Sequence, residues 1–367
     1  MKFGRSIGLL AALVSALCIG GLLSVTVTTK SYSESYPAVV CPPTIAGLNS
    51  QISLASKKTQ FQRLQNRTTK TAPVKVLRLP VNKDSLLFNT EGVTPVVWQS
   101  KVSSWAGGAI CTGPSTSQWF VGGAADITTK GRLIIVNSGL SDAIVDVQSF
   151  TENGKQPVRT ITVVSKNYIV IPTDSLAPGD KYLTVHVAPR SGRVNAFMID
   201  EQSKGLRSLG GDLVNSASTP TKSLLIPAIP NQIIKNTKTL PHTLRVLSPG
   251  DVDASVTAEV LSADGVFVPV GLTSRTVSAG IVTEFQFTPK ITSTVLAIRI
   301  TSTEPVVAAI KSTVTVSGRK DFVWSTSAPE LVPLTIAISG LTPLVSFAGD
   351  QINVSLDVTM NNGKVIR

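Results

Sequence analysis

Apolar and polar positions follow two regimes along this chain. Residues 7–27 form one nearly unbroken apolar run, with Lys2 and Arg5 before it. A bilayer core needs roughly 20 apolar residues in a helix, so the run is long enough to span. Cations on its N-terminal side predict an inside N-terminus and an outside C-terminus. Residues 18–24 offer no small-x-small cleavage site, and Leu17 stands where lipoprotein processing wants a small residue. An uncleaved signal-anchor is therefore expected, with a cleaved signal peptide as the alternative.

Beyond residue 30 the pattern changes to short alternating segments. Residues 74–79 and 95–98 alternate like strands. From Gly131 the signal strengthens. Residues 132–137 read as one buried strand ending in an Asn-Ser-Gly turn. Residues 143–150 follow, then Asn153-Gly154, a hairpin signal. Further strands are expected at 159–164, 168–171, 182–187 and 194–199. Val, Thr, Ser and Ile dominate, helix-forming stretches are missing, and the 27 Gly and 22 Pro supply turns. The fold class is all-β.

The second half repeats the first. Leu244 to Gly250 resembles Leu133 to Gly139, and Ala254 to Gly265 parallels Ala143 to Gly154. Gly139 and Gly154 stand as far apart as Gly250 and Gly265. Leu183 to Val187 then matches Leu296 to Ile300, in the same order. Such a duplication predicts tandem immunoglobulin-like β-sandwiches behind a single transmembrane helix. The expected layout is a cytoplasmic tip and signal-anchor at 1–29 and a basic tether with at least one strand at 30–84. A first sandwich at 85–221 and a second at 222–332 follow. Strands at 333–367 are either a partial third repeat or the completion of a sandwich.

Charge changes this picture in one place. The chain of 367 residues carries 34 basic and 22 acidic side chains, a formal charge of +12. No Asp or Glu lies between Tyr36 and Lys83, while Lys57, Lys58, Arg63, Arg67 and Lys70 all do. Such a stretch suits an anionic cell-wall polymer or lipid headgroups, against a plain solvated spacer. Nucleic acid is not an expected partner outside the cytoplasm. Cys18 lies in the apolar run; Cys41 and Cys111, in an exported chain, predict one disulfide, the alternative being two buried thiols.

Several motifs carry a resemblance. Cys111-Thr112-Gly113-Pro114, Gln118-Trp119-Phe120-Val121-Gly122-Gly123 and Leu176-Ala177-Pro178-Gly179 resemble signatures of an actinobacterial envelope family, the domain of unknown function 5719. Gly210-Gly211-Asp212 and Leu225-Ile226-Pro227 are similar to it as well. Its Leu-x-Leu-x-Asn-Pro strand is matched at 133–138 except that Ser138 replaces the proline. The resemblance implies membrane anchoring, a β-rich ectodomain and association with a membrane glycosyltransferase. It names no catalytic residues.

The inventory of chemistry is thin. The chain has two histidines: His186 is expected on a solvent face, and His242 in a turn after Pro241. No Gly-x-Ser-x-Gly elbow or phosphate-binding glycine loop occurs, and no Cys/His metal spacing. Asp251-Val252-Asp253 reads as turn chemistry, and Asp200-Glu201 as exposed charge. No cofactor is expected. The aromatic cluster Trp98, Trp105, Trp119 and Phe120 either stacks on sugars or packs a core beside a Cys41–Cys111 bridge. The expected protein is therefore a non-enzymatic, single-pass cell-membrane protein with its C-terminal part outside. It scaffolds or accompanies an envelope or polysaccharide-related complex; a cell-wall carbohydrate-binding or adhesive ectodomain is the alternative.

Overall fold

The alternating segments become strands from end to end of a computed structural model. It describes residues 38–367 except 67, 90, 91, 236, 237, 317, 340–342 and 350–352. The signal-anchor expected at 1–29 lies outside these residues. Among those described, no helix is long and apolar enough to cross a membrane. The helical content there is one 3-10 turn at Thr173–Ser175.

The first strands are β1 (Ala38–Cys41), β2 (Asn49–Ser53), β3 (Thr59–Arg63), β4 (Lys70–Ala72), β5 (Arg78–Pro80), β6 (Leu86–Asn89), β7 (Thr94–Lys101) and β8 (Trp105–Ile110). They form two sheets, in the orders β1-β6-β3-β4 and β5-β2-β7-β8. Next come β9 (Gln118–Val121), β10 (Arg132–Asn137), β11 (Ala143–Thr151), β12 (Gly154–Lys155), β13 (Arg159–Val163), β14 (Asn167–Pro172), β15 (Thr184–Ser191), β16 (Asn195–Lys204) and β17 (Arg207–Val214). Their orders are β9-β15-β11, with β12 and β13 both on β11, and β14-β10-β16-β17. The last group is β18 (Thr221–Pro230), the small hairpin β19 (Ile233–Lys235) and β20 (Lys238–Thr239), β21 (His242–Leu247), β22 (Ala254–Ser262), β23 (Gly265–Phe267), β24 (Arg275–Val277), β25 (Thr283–Phe287), β26 (Val295–Val316) and β27 (Arg319–Thr326). Here β18-β26-β22 and β25-β21-β26-β27 are the pairings, with β23 and β24 on β22.

The same scheme thus occurs three times. The pairs β2–β7, β10–β16 and β21–β26 correspond, as do β1–β6, β9–β15 and β18–β26. The copy at 38–112 carries no visible repeat in the sequence, and its strands replace most of the basic tether with at least one strand expected at 30–84. The physical reason is that its strands are short and its cations stand at outward positions. Between them Phe61, Leu64 and Ala72 are buried in a core with Ile52, Phe88 and Val97. The expected strand at 74–79 is shorter: Val76 N donates to Pro73 O in a turn, and pairing begins at Arg78.

Strand β26 is long because it serves both sheets of its sandwich. Its N-terminal half pairs with β18 and β22, its C-terminal half with β21 and β27. The register jumps near Pro305, which has no N–H to give to a ladder. In the preceding copy the chain breaks instead at Gly192 (φ +73°), where an added Cβ would sit 2.8 Å from that of Ala143. Glycine is required there both by the positive φ and by the close approach.

The central strands β10 and β16 of sheet β14-β10-β16-β17 are buried on both faces. Leu133, Ile135, Ala196 and Met198 pack toward β11 and β15. Ile134, Val136, Phe197 and Ile199 pack toward the sandwich of β1–β8. A strand with two apolar neighbours reads as a continuous apolar run, which is why 132–137 stood out.

The C-terminal residues 333–367 contain β28 (Ile336–Ala337), β29 (Val358–Thr359) and β30 (Val365–Ile366). Strand β28 runs parallel to β7 and returns the chain to the first sandwich. There Ser53 Oγ donates to Ser339 O, and Ser339 Oγ donates to Leu54 O. The pair β29–β30 is exposed.

Candidate functional site

The two cysteines are joined. Cys41 at the end of β1 and Cys111 just after β8 form a disulfide with Cα atoms 4.6 Å apart. Both are buried in the core of the first sandwich.

The aromatic residues are not an open platform. Trp105 lies in that same core, while Trp119 and Phe120 belong to the next one. All three are at least 94% buried. Trp119 stacks against His186, with ring centroids 4.0 Å apart, and against Phe150. Trp98 is half-buried; its Nε1 donates to Ser53 Oγ and its ring covers Gly108. Trp105, Trp119 and Phe120 therefore fill cores, as large aromatics commonly do.

Of the basic residues, Lys57, Lys58 and Lys70 are exposed and Arg63 is half-buried, in and before the β3–β4 hairpin. Arg67 lies outside the described residues. Lys57 and Lys58 precede β3, Arg63 ends it, and Lys70 opens the edge strand β4 opposite Phe61.

Three further expectations change. His186 is half-buried rather than on a solvent face: it meets Ser117 Oγ at 2.8 Å, and burial lowers its pKa. His242 opens strand β21 and is buried rather than lying in a turn. Asn231 Nδ2 donates to Ser293 O, which turns Asn231 Oδ1 toward His242 Nε2 at 3.1 Å. Nε2 then carries the proton, and Nδ1 accepts from Ser312 Oγ at 2.9 Å. Burial lowers this pKa from 6.5 to about 4. An unfolded imidazole takes its proton near pH 6.5, the folded one only near 4. Stability is therefore lost as pH falls through that window, by about 3 kcal/mol at its lower end. Denaturant titrations from pH 7 to 4 are expected to lose that slope in His242→Gln; an equal slope in both proteins would contradict this assignment.

Asp200 and Glu201 are the third change. They are buried, Glu201 against Lys101 and Asp200 in a polar cluster with Trp324 and Lys311. Of the last strands of the three copies, β17 lies against both β8 and β27. Close approach is possible because glycines face the contacts. A Cβ on Gly107 would lie 2.4 Å from Asp212 Oδ1, and one on Gly211 2.7 Å from the Trp105 ring. Gly211→Ala has no room, since that indole is itself buried. It is expected to destabilise by about 1–3 kcal/mol in thermal or urea unfolding; an unchanged transition would mean the indole yields.

Polar groups then tie the strands. Gly211 N donates to Asp321 Oδ1 at 3.0 Å, Trp324 N to Asp212 Oδ2 at 2.7 Å, and Trp324 Nε1 to Asp200 Oδ2 at 2.9 Å. Lys311 Nζ lies 3.9 Å from Asp200 Oδ2 and 3.9 Å from the centre of the Phe322 ring. Beside it Arg245 donates to Gly123 O and Leu183 O through Nη1, and to Glu284 Oε1 through Nε and Nη2. Its guanidinium also covers the Trp324 ring at 4.8 Å. Burial raises the pKa of Asp212 well above the usual carboxylate value, and raises that of Asp321. Burial also lowers that of Lys311, against the pull of Asp200.

Asp200 and Asp212 accept N–H donors from the same indole residue, and Arg245 closes two backbone carbonyls. Among the described residues, no group of three or more His, Cys, Asp or Glu is placed to hold a metal ion. Asp251 and Asp253 sit in an exposed turn, where Asp253 Oδ1 accepts from Ala279 N. One local pattern belongs to the cluster, Gly210-Gly211-Asp212; Lys311, Arg245 and Trp324 lie far away in the chain and carry none.

Comparison with known proteins adds a family. The model of the Family of unknown function (DUF5719) matches residues 102–365. No curated protein matches the chain. A solved structure, "Crystal Structure of Thermotoga maritima 1070", is similar over 31% of this chain and 97% of its own, at 16% identity and a TM-score of 0.20.

Proposed function

Since the chain belongs to the DUF5719 family, a family of unknown function, we propose that it is a non-enzymatic, membrane-anchored extracytoplasmic scaffold. It would accompany an envelope or polysaccharide-related membrane complex, such as one built on a membrane glycosyltransferase. The observation that carries this reading is the buried junction of Asp200, Asp212, Arg245, Lys311 and Trp324. Joining consecutive sandwiches through enclosed charges fixes their mutual register, and a fixed register is what a scaffold needs to hold partners at set distances. Buried polar contacts that specify one arrangement are a known use of such costly groups.

We read each sandwich as an immunoglobulin-like variant, because β10–β14 and β11–β15 pair as the central strands of such domains do. The apolar run at 7–27 supports the anchor, and the Cys41–Cys111 bridge supports an oxidising compartment. The basic β3–β4 hairpin remains the candidate contact for an anionic wall polymer. The carbohydrate-binding alternative is weakened, because the rings it needs are enclosed.

The test is affinity capture of the full-length protein from gently solubilised membranes after a high-salt wash. The expected result is retention in the membrane fraction and co-purification of an envelope-building membrane protein at fixed stoichiometry. Release as a soluble chain beginning near residues 25–30 would remove the anchor. Recovery of the protein alone would remove the scaffold.

A further inference from the structure

Three hairpins that occupy the same place in their sandwiches converge at one end of the molecule. They join β7 to β8, β16 to β17, and β26 to β27. Ser104 Oγ in the first donates to Ser208 Oγ in the second at 2.5 Å, and Arg319 in the third donates to Ser103 O in the first. The loop before β10 joins them, its Thr128 O accepting from Ser203 N at 2.7 Å.

Each of these four turns carries one aliphatic side chain out into solvent. Val102 is 75% exposed, Ile127 98%, Leu206 fully and Val316 61%. Exposed aliphatics in a coordinated set on an otherwise polar end are a mark of an interaction surface. They protrude singly from tips rather than lining a groove, so they suit insertion into a soft phase more than docking against a folded protein.

The charges around them are cationic. Lys204 and Arg207 flank Leu206, and Arg319 and Lys320 follow Val316 closely; all four are exposed. Below the tips, Lys101, Lys130 and Arg132 line a cleft of about 540 Å³ together with Ser104 and Ser208. The nearby carboxylates are engaged, Glu201 from within the same cleft. Glu201 pairs with Lys101, Asp126 accepts from Thr128 N and Oγ1, and Asp321 accepts from Gly211 N. The outward field is therefore positive, with apolar points at its centre.

We propose that this end docks on an anionic lipid bilayer, the four aliphatic tips entering the headgroup layer and the surrounding lysines and arginines engaging lipid phosphates. Apolar insertion combined with cationic attraction is the physical recipe for peripheral binding to anionic membranes. The site is separate from the basic β3–β4 hairpin, and it does not rest on the scaffold reading.

The experiment uses full-length protein carrying Leu206→Trp, incorporated into vesicles of phosphatidylcholine or of equimolar phosphatidylcholine and phosphatidylglycerol, with brominated acyl chains as quencher. The four native tryptophans provide the baseline, measured on wild type. Leu140→Trp is the control: Leu140 is exposed in the turn after β10, at the opposite end of that strand from Arg132. The two positions differ by about 20 Å along the strand. Expected is a blue shift and quenching of the residue-206 signal in anionic vesicles, at least several-fold weaker in phosphatidylcholine alone, with no response at 140. Adding Lys204→Glu and Arg207→Glu should abolish the quenching. Equal signals in the two lipids, equal quenching at 140, or quenching that survives charge reversal would each overturn the proposal.

Discussion

Arg245→Met is expected to cost about 3–5 kcal/mol of folding stability, read as a lowered urea midpoint at unchanged slope. The reasoning starts from what the guanidinium touches. It is 97% buried on its side chain, and its ion pair with Glu284 is 2.6 Å long, with that carboxylate 85% buried. Methionine restores much of the volume but gives nothing to Glu284, which is left as an enclosed charge. Nη1 also donates to Leu183 O and to Gly123 O, the latter shared with Leu183 N, and an unmet buried carbonyl costs about 1–3 kcal/mol. The flat contact with Trp324 is lost as well. Because the two carbonyls lie in the second sandwich and Arg245 in the third, the loss falls on their junction. Replacing Glu284 by Gln in the same background should recover part of it, since the stranded charge is then removed. A change under about 1 kcal/mol would mean that water reaches the carboxylate and the junction is looser than its geometry.

The second large effect is expected at the disulfide. Cys41→Ala with Cys111→Ala should destabilise by about 4 kcal/mol. The bridge closes a loop of 70 residues, and restricting so long a loop in the unfolded chain is worth about that much. The loop contains nearly all of the first sandwich, whose core is small. Unfolding followed by Trp98 and Trp105 fluorescence with and without reductant provides the measurement. Coincident transitions in the two conditions would show that the bridge adds little beyond what packing supplies.

The sequence and the structure agree where a pattern is local. Strand β10 was legible as a continuous apolar run, and β11, β21 and β22 by their alternation and glycine-bearing turns. The all-β class followed from β-branched content, and the disulfide from two cysteines beyond an apolar run that predicts export. The first sandwich was not legible, because strands as short as Lys70–Ala72 and Arg78–Pro80 hold too few residues for a period to emerge. Its cations then drew attention to charge and away from Phe61 and Leu64. The junction was invisible for a different reason. Asp200, Arg245, Lys311 and Trp324 meet only through folding, and each by itself resembles ordinary strand chemistry. The aromatic cluster misled in the opposite sense: nearness in sequence suggested one surface, while the fold sends Trp105 and Trp119 into separate cores.

The sheet of β10, β14, β16 and β17 belongs to two cores at once. A tandem array of this kind does not come apart at its linkers. A fragment starting at residue 113 would bring Ile134, Val136, Phe197, Ile199 and Leu213 into water, and it should aggregate or fail to fold. Nor can a copy be inserted, deleted or exchanged with a related chain without rebuilding its neighbour's face. Amide hydrogens of β10 and β16 should then exchange last of all, only when the whole body opens.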